Sequence, residues 1–237
     1  GQDMRISETR LENSRNFCTK IWNAARYAEM NAAFYDAGFA PATVKHPVNQ
    51  WIMGEMKTAL ADMDKAYEEF RFNDVANTLY HLTWNTYCDW YLELSKPLMN
   101  GDDAALATET KQTMGYVFER LLKMLHPAIP FITEELWQNH TKQIDTEMLI
   151  EQAWPVAEDF PTSNEAVTNV NWLVNVVSAI RAARAENRVP PKEVVAIEVK
   201  GGSAAATARF ADFASMITFL TKTEGFATTE REPAKTD

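Results

Sequence analysis

Apolar residues recur at helical spacing in several long runs, separated by proline, glycine and polar breaks. The first run extends from about Ser7 to Asp36 and ends near Gly38 and Pro41, both helix breakers. A second starts after Pro47 and reaches about Phe70, with Trp51, Ile52, Met56, Ala59, Leu60, Met63 and Tyr67 on its apolar positions. A third has Asn73 and Asp74 as candidate N-caps, carries Val75, Leu79, Leu82, Tyr87, Trp90 and Leu94, and stops at Lys96 before Pro97. The fourth spans about Asp103 to His126, and Pro127 and Pro130 break it. A short fifth follows, with Thr133 as its cap and Glu134 and Glu135 in the first turn, where the helix dipole favours acids. Long helices joined by short connections pack antiparallel, so residues 1–140 are expected to form a mainly α, antiparallel helix bundle.

The pattern then changes. Residues 141–163, with Pro155 and Pro161, have no long periodic run and read as a connector. A helix from about Asn164 to Asn187 precedes the turn Val189-Pro190-Pro191. Glu193 to Lys200 (EVVAIEVK) alternates and is β-branched, which predicts a strand, closed by Gly201-Gly202. Helix returns from Ala204 to Leu220, and Phe226 to Thr229 is expected to be a short second strand. Residues 164–230 therefore read as a small α/β unit. Two strands are too few for a stable sheet, so the unit is expected to be truncated, its sheet continuing in residues outside this chain. The polar tail, 231–237, is expected to be disordered.

Composition narrows the function classes. A chain of 237 residues can bury a proper core, and 8 glycines with 10 prolines argue against a mainly β architecture. No apolar run reaches the ~18 residues of a membrane span, and no signal peptide is legible. Cys18 and Cys88 lack zinc-ligand spacing and read as free thiols in a reducing compartment, so a cytoplasmic location is expected. The net charge of −10 counts against a general nucleic-acid binder. Screening over about 8–10 Å still leaves room for a local basic patch.

Catalytic and metal chemistry find no foothold. His46, His81, His126 and His140 are scattered singly, and no HExxH, glycine-rich phosphate loop, GxSxG or CxxC occurs. Glu68-Glu69 and Asp102-Asp103 are adjacent, so on a helix their carboxylates diverge by about 100°. No catalytic residue and no metal ligand is expected.

The stretch NFCTKIWNAARY is richer. At helical spacing Phe17, Ile21, Ala24 and Ala28 share a narrow arc, which is a core face. Asn16, Lys20, Asn23 and Tyr27 form a second stripe about 100° away, with Arg26 at its edge. An aromatic ring can stack on a base, amides can read base edges and cations can meet phosphates. The same stripe also suits a bundle helix whose boundary polar groups bond to neighbouring helices. Asn85, Asp89, Leu92 and Glu93, near Tyr87 and Trp90, raise the same choice on the third helix. Arg181, Arg184 and Arg188 align on one side of a later helix, as a basic contact or a solvated face.

Four segments carry a family resemblance: RNFCTKIWNAARY, FNDVANTLYHLTWNTYCDWYLELSKP, LLKMLHPAIPFITEELW and AIRAARAENRVPPKEV. In register and order they resemble the C-terminal part of bacterial valyl-tRNA synthetases, a class I aminoacyl-tRNA synthetase family. HPAIPFITEELW is the less specific segment, since isoleucyl, leucyl and methionyl relatives carry variants of it. The resemblance implies that the bundle is an anticodon-binding domain. It places anticodon-loop contacts on Lys20, Asn23, Arg26, Tyr27, Leu92 and Glu93, with Asn16, Arg10, Arg181, Arg184 and Arg188 as further tRNA contacts. Tyr27 stands where the family usually has phenylalanine, and an early family arginine corresponds to Thr9, with Arg10 adjacent. The partner implied is tRNA(Val). ATP and Mg belong to a parent enzyme, expected to be monomeric. This chain shows neither HIGH nor KMSKS, so it is expected to bind no cofactor and to charge no tRNA alone. An isoleucine- or leucine-specific relative, or a helical protein-interaction scaffold without RNA binding, are the alternatives.

Overall fold

A computed structural model describes residues 7–142, 147–200 and 203–229. The chain divides into two compact units, 1–167 and 168–237. The first is a helix bundle. It comprises α1 (Glu8–Met30), α2 (Pro47–Glu68), α3 (Phe72–Tyr80), a π-helix (His81–Tyr91), α4 (Leu92–Met99), α5 (Ala104–Leu125) and α6 (Pro130–Thr141). Helix α7 (Asn164–Glu186) starts at its end, and single 3-10 turns interrupt the connector at Leu149–Glu151 and Ala157–Asp159.

The run α3–π–α4 is continuous from Phe72 to Met99 and lies at the centre with α5. Helix α2 packs on this run and on α5; α1 packs on the π-helix, α5 and α6. Ile21, Ile52, Met53, Met56, Leu60, Met63, Tyr87, Tyr91, Leu94, Phe118 and Trp137 fill the core with essentially no exposure. Fully burying an aliphatic side chain contributes roughly 1.5–3 kcal/mol, so this set is the main source of the unit's stability.

Two polar networks fix the bundle's register. Asn49 is fully buried; its Nδ2 donates to Glu109 Oε1 and Thr110 Oγ1, and its Oδ1 accepts from the Tyr91 hydroxyl at 3.1 Å. Glu119, 2% exposed, meets Arg120 and Lys123 at 2.8 Å and accepts from Trp137 Nε1 at 3.3 Å, tying α5 to α6. His140 Nε2 donates to the Gly115 carbonyl at 2.8 Å.

Several boundaries differ from the sequence expectation. Helix α1 ends at Met30, because Ala32 takes a left-handed φ of 53° and Ala33 N–H turns back to the Ala28 carbonyl. Sequence reading placed the stop at Gly38, since no glycine marks this one. Asn73 and Asp74 do not cap the third run. Arg71 occupies that position, and its guanidinium pairs with Asp74 inside the first turn. Pro97 does not end the helix, which continues to Met99. Proline removes only one donor and clashes locally, and burial of Leu94, Leu98 and Met99 on either side of it holds the turn. Thr133 is inside α6, donating to the Ile129 carbonyl, while Pro130 opens the helix. Asp103, one of the adjacent acids of the sequence, caps α5 by accepting from Ala105 and Leu106 N–H.

The second unit holds the remainder of α7, then β1 (Val195–Lys200), α8 (Ala204–Asp212), α9 (Ala214–Thr221) and β2 (Thr223–Thr229). β1 and β2 pair in parallel, with a register shift between Val195 and Ile197. The expected single helix from 204 to 220 breaks at Phe213, and β2 starts three residues earlier than Phe226. A mainly α bundle and a small α/β unit are the expected fold class. Gly201-Gly202 and the polar tail lie outside the described residues.

Candidate nucleic-acid interface

Helix α1 presents the predicted two faces. Ile21, Ala24 and Ala28 are buried against the bundle, and Phe17 is half-buried. Asn16, Asn23 and Arg26 are exposed, whereas Lys20 and Tyr27, nearest the core arc, are half-buried.

The π-helix decides what stands beside them. Phe17 stacks on Tyr80, with centroids 5.5 Å apart and planes at 20°. Tyr80 stacks in turn on Trp84 at 5.6 Å and 13°. The Lys20 ammonium lies 4.8 Å from the centroid of the Trp84 ring and is ion-paired with Asp89. Contacts advance in the same direction along both helices, from Phe17–Tyr80 to Lys20–Asp89, so α1 and the central run are parallel. Further along, Tyr27 is half-buried, with Ser95 and Glu93 acting on its phenol. Burial raises the Tyr27 pKa, Ser95 opposes the rise and Glu93 adds to it. The phenol therefore stays protonated at neutral pH and can donate.

The resemblance-derived residues are thus brought together unevenly. Lys20, Asn23 and Tyr27 form one strip. Arg26 lies on the other side of α1, at a cavity of about 240 Å³ lined also by Trp22, Phe34, Asn139, His140 and Lys142. Leu92 is 8% exposed and so offers only its edge, while Glu93 is half-buried and paired with Lys96. Arg10 is exposed on the first turns of α1. In the second unit, Arg181 donates to the Leu220 carbonyl, and Arg184 to the carbonyls of Lys222, Pro190 and Glu193. Arg188 is exposed, with φ 52°. Sequence reasoning missed Tyr80 and Trp84, although YHLTWNTYCDWY, from Tyr80 to Tyr91, already carried an aromatic excess.

What this surface can do chemically is stack, donate hydrogen bonds and neutralise one or two phosphates. Among the described residues no group of three or more His, Cys, Asp and Glu could hold a metal ion, and no helix is long and apolar enough to cross a membrane. Both cysteines are free.

The family described as the anticodon-binding domain of tRNA ligase matches residues 49–199. The chain belongs to that family. This anticodon-binding domain is also similar to whole-length relatives. It is 41% identical over 226 residues to the valine–tRNA ligase of Rhizobium meliloti, covering 94% of this chain and 24% of the relative. It is 40% identical over 235 residues to that of Caulobacter vibrioides, covering 98% and 26%. The valine–tRNA ligase of Ruegeria pomeroyi is 42% identical over 195 residues, 80% of this chain and 19% of the relative. The chain thus spans about a quarter or less of the length of these curated relatives. The family match begins within α2, so the α1 stripe falls within the relatives' alignments rather than the family's common segment.

Proposed function

We propose that this chain recognises the anticodon loop of tRNA(Val), through Lys20, Asn23, Arg26, Tyr27, Leu92 and Glu93. The observation that carries the reading is the strip Lys20–Asn23–Tyr27, polar and aromatic beside the core arc of α1, in an anticodon-binding domain similar to valine–tRNA ligases over 94–98% of its length. Tyr27 supplies a base-stacking ring with a donor, Asn23 an amide for a base edge, and Lys20 a cation for phosphate. Arg10, Asn16 and Arg188 extend the same reading to flanking phosphates, and Arg181 and Arg184 to a lesser extent because their guanidinium groups already serve main-chain carbonyls. In this reading, ATP- and Mg-dependent attachment of valine is the work of a longer, monomeric, cytoplasmic enzyme.

Few phosphates are neutralised, so binding is weak and falls steeply with salt. The test is titration of this chain with tRNA(Val) and with an anticodon-swapped copy at low salt. Preference for the cognate anticodon supports the reading. Equal binding of the two, or stronger binding of tRNA(Ile) or tRNA(Leu), removes it.

A further inference from the structure

The strip's cation is already held by an acid. Asp89 is 45% exposed and pairs with Lys20, the half-buried cation of the strip, 32% exposed. The same ammonium lies over Trp84, whose ring already stacks on Tyr80. In the free chain one contact therefore occupies both a phosphate-binding cation and an indole ring. An ion pair this exposed is weak enough for a ligand to exchange. It is strong enough to matter against a partner that offers only one phosphate, since that partner gains nothing net by replacing one anion with another.

We propose that Asp89 is a specificity-determining residue of the RNA face: it holds Lys20 on Trp84, and RNA that supplies both a phosphate for Lys20 and a base for the uncovered indole displaces it. The proposal rests on the tRNA reading above and adds a filter to it. RNA with a phosphate but no splayed base in reach meets a cation already satisfied. Single-stranded loops satisfy both conditions, whereas duplex RNA keeps its bases stacked inside. Trp84 lies in the π-helix, a geometry often found at functional sites.

The experiment is a double-mutant cycle on this 237-residue chain, Asp89→Asn and Lys20→Gln singly and together, with Glu68→Gln as a matched loss of one exposed acid. Binding is measured against tRNA(Val) and a duplex RNA of equal charge, across a salt series. Asp89→Asn is expected to strengthen duplex binding about five-fold and steepen its salt slope by about 0.7–0.9. The gain for tRNA(Val) is smaller. In the Lys20→Gln background the effect disappears. An Asp89→Asn effect that persists without Lys20, or that Glu68→Gln reproduces, is a general charge effect and overturns the proposal. So does an equal gain for both RNAs. Failure of the anticodon reading shows separately, as wild-type binding indifferent to an anticodon swap; the coupling between Asp89 and Lys20 on duplex RNA is still read in that case.

Discussion

Phe17 of α1 and Tyr80 of α3 stack with ring centroids 5.5 Å apart and planes only 20° from parallel. That contact sets which residues of the central run stand beside Lys20, because α1 and the run have no covalent link nearer than α2. Aromatic pairs contribute about 0.5–1.5 kcal/mol beyond the area they bury. Tyr80→Ala removes the contacts to both Phe17 and Trp84, and is expected to cost about 1–2 kcal/mol in urea unfolding. The accompanying result is weaker tRNA binding. An unchanged affinity would show that the stack plays no part in placing Lys20.

Lys20 and Tyr27 should fail in different ways. Lys20→Ala is expected to lower the magnitude of the salt slope for tRNA by about 0.7–0.9, whichever anticodon the tRNA carries. Tyr27→Ala loses about 1–3 kcal/mol of stacking and with it the preference for the cognate anticodon. Tyr27→Phe keeps the ring and gives up only the hydroxyl, so it retains the preference. Loss of discrimination in Tyr27→Phe would move the reading function from the ring to the hydroxyl.

Gly115 is required by main chain rather than by conformation. A Cβ there would stand 2.1 Å from the Phe34 carbonyl oxygen and 2.5 Å from its carbon, and backbone cannot yield as a side chain does. The same glycine's carbonyl accepts from His140. Gly115→Ala is expected to cost about 3 kcal/mol or more through overpacking, visible as a drop in the denaturation midpoint. A wild-type midpoint would refute this packing account.

Stability should fall on mild acidification. Burial holds the pKa of His140 below its ordinary value, against the bond to Gly115 and the nearby Glu119 charge, and burial also lowers that of His46. Below about pH 6.5 the unfolded chain binds protons at these imidazoles more readily than the native chain does. Their contribution is therefore present above about pH 6.5 and is lost progressively as pH falls below it. The slope approaches about 1.4 kcal/mol per pH unit for each histidine kept neutral. Denaturation midpoints between pH 7 and 5 check it, and His140→Gln should flatten the slope even where it lowers overall stability.

The two cysteines should label unequally. Burial raises the Cys88 thiol to about 12, with Lys20 opposing and Asp89 adding, whereas Cys18 is only half-buried. The thiolate is the nucleophile, so a native chain at pH 8 is expected to take one equivalent of a thiol reagent quickly. The second follows only on unfolding. Two fast equivalents would contradict the burial of Cys88.

Much of the architecture was legible in the order of residues. Four long apolar periodicities, punctuated by Pro47, Asp103 and Pro130, foretell the bundle, because a helix must bury one stripe whatever its partner. The β-branched alternation EVVAIEVK foretells a strand on the same grounds of periodicity. Helix ends were less legible where the stop lacks its usual residue. Ala32 turns left-handed without being glycine, and Pro97 sits inside a helix whose flanking leucines are buried.

The two stripes of NFCTKIWNAARY were determined by the sequence alone, since 3.6-residue winding separates Phe17, Ile21, Ala24 and Ala28 from Lys20, Asn23 and Tyr27 in any α-helix. What faces the second stripe was decided only by tertiary structure. On an ordinary helix Trp84 and Asp89, five residues apart, diverge by about 140° and cannot both meet one lysine. From His81 to Tyr91 the chain winds with hydrogen bonds five residues apart, which brings positions 84 and 89 to the same side. Lys20 thereby gains an indole and a carboxylate together, a pairing that no α-helical reading of the sequence contains.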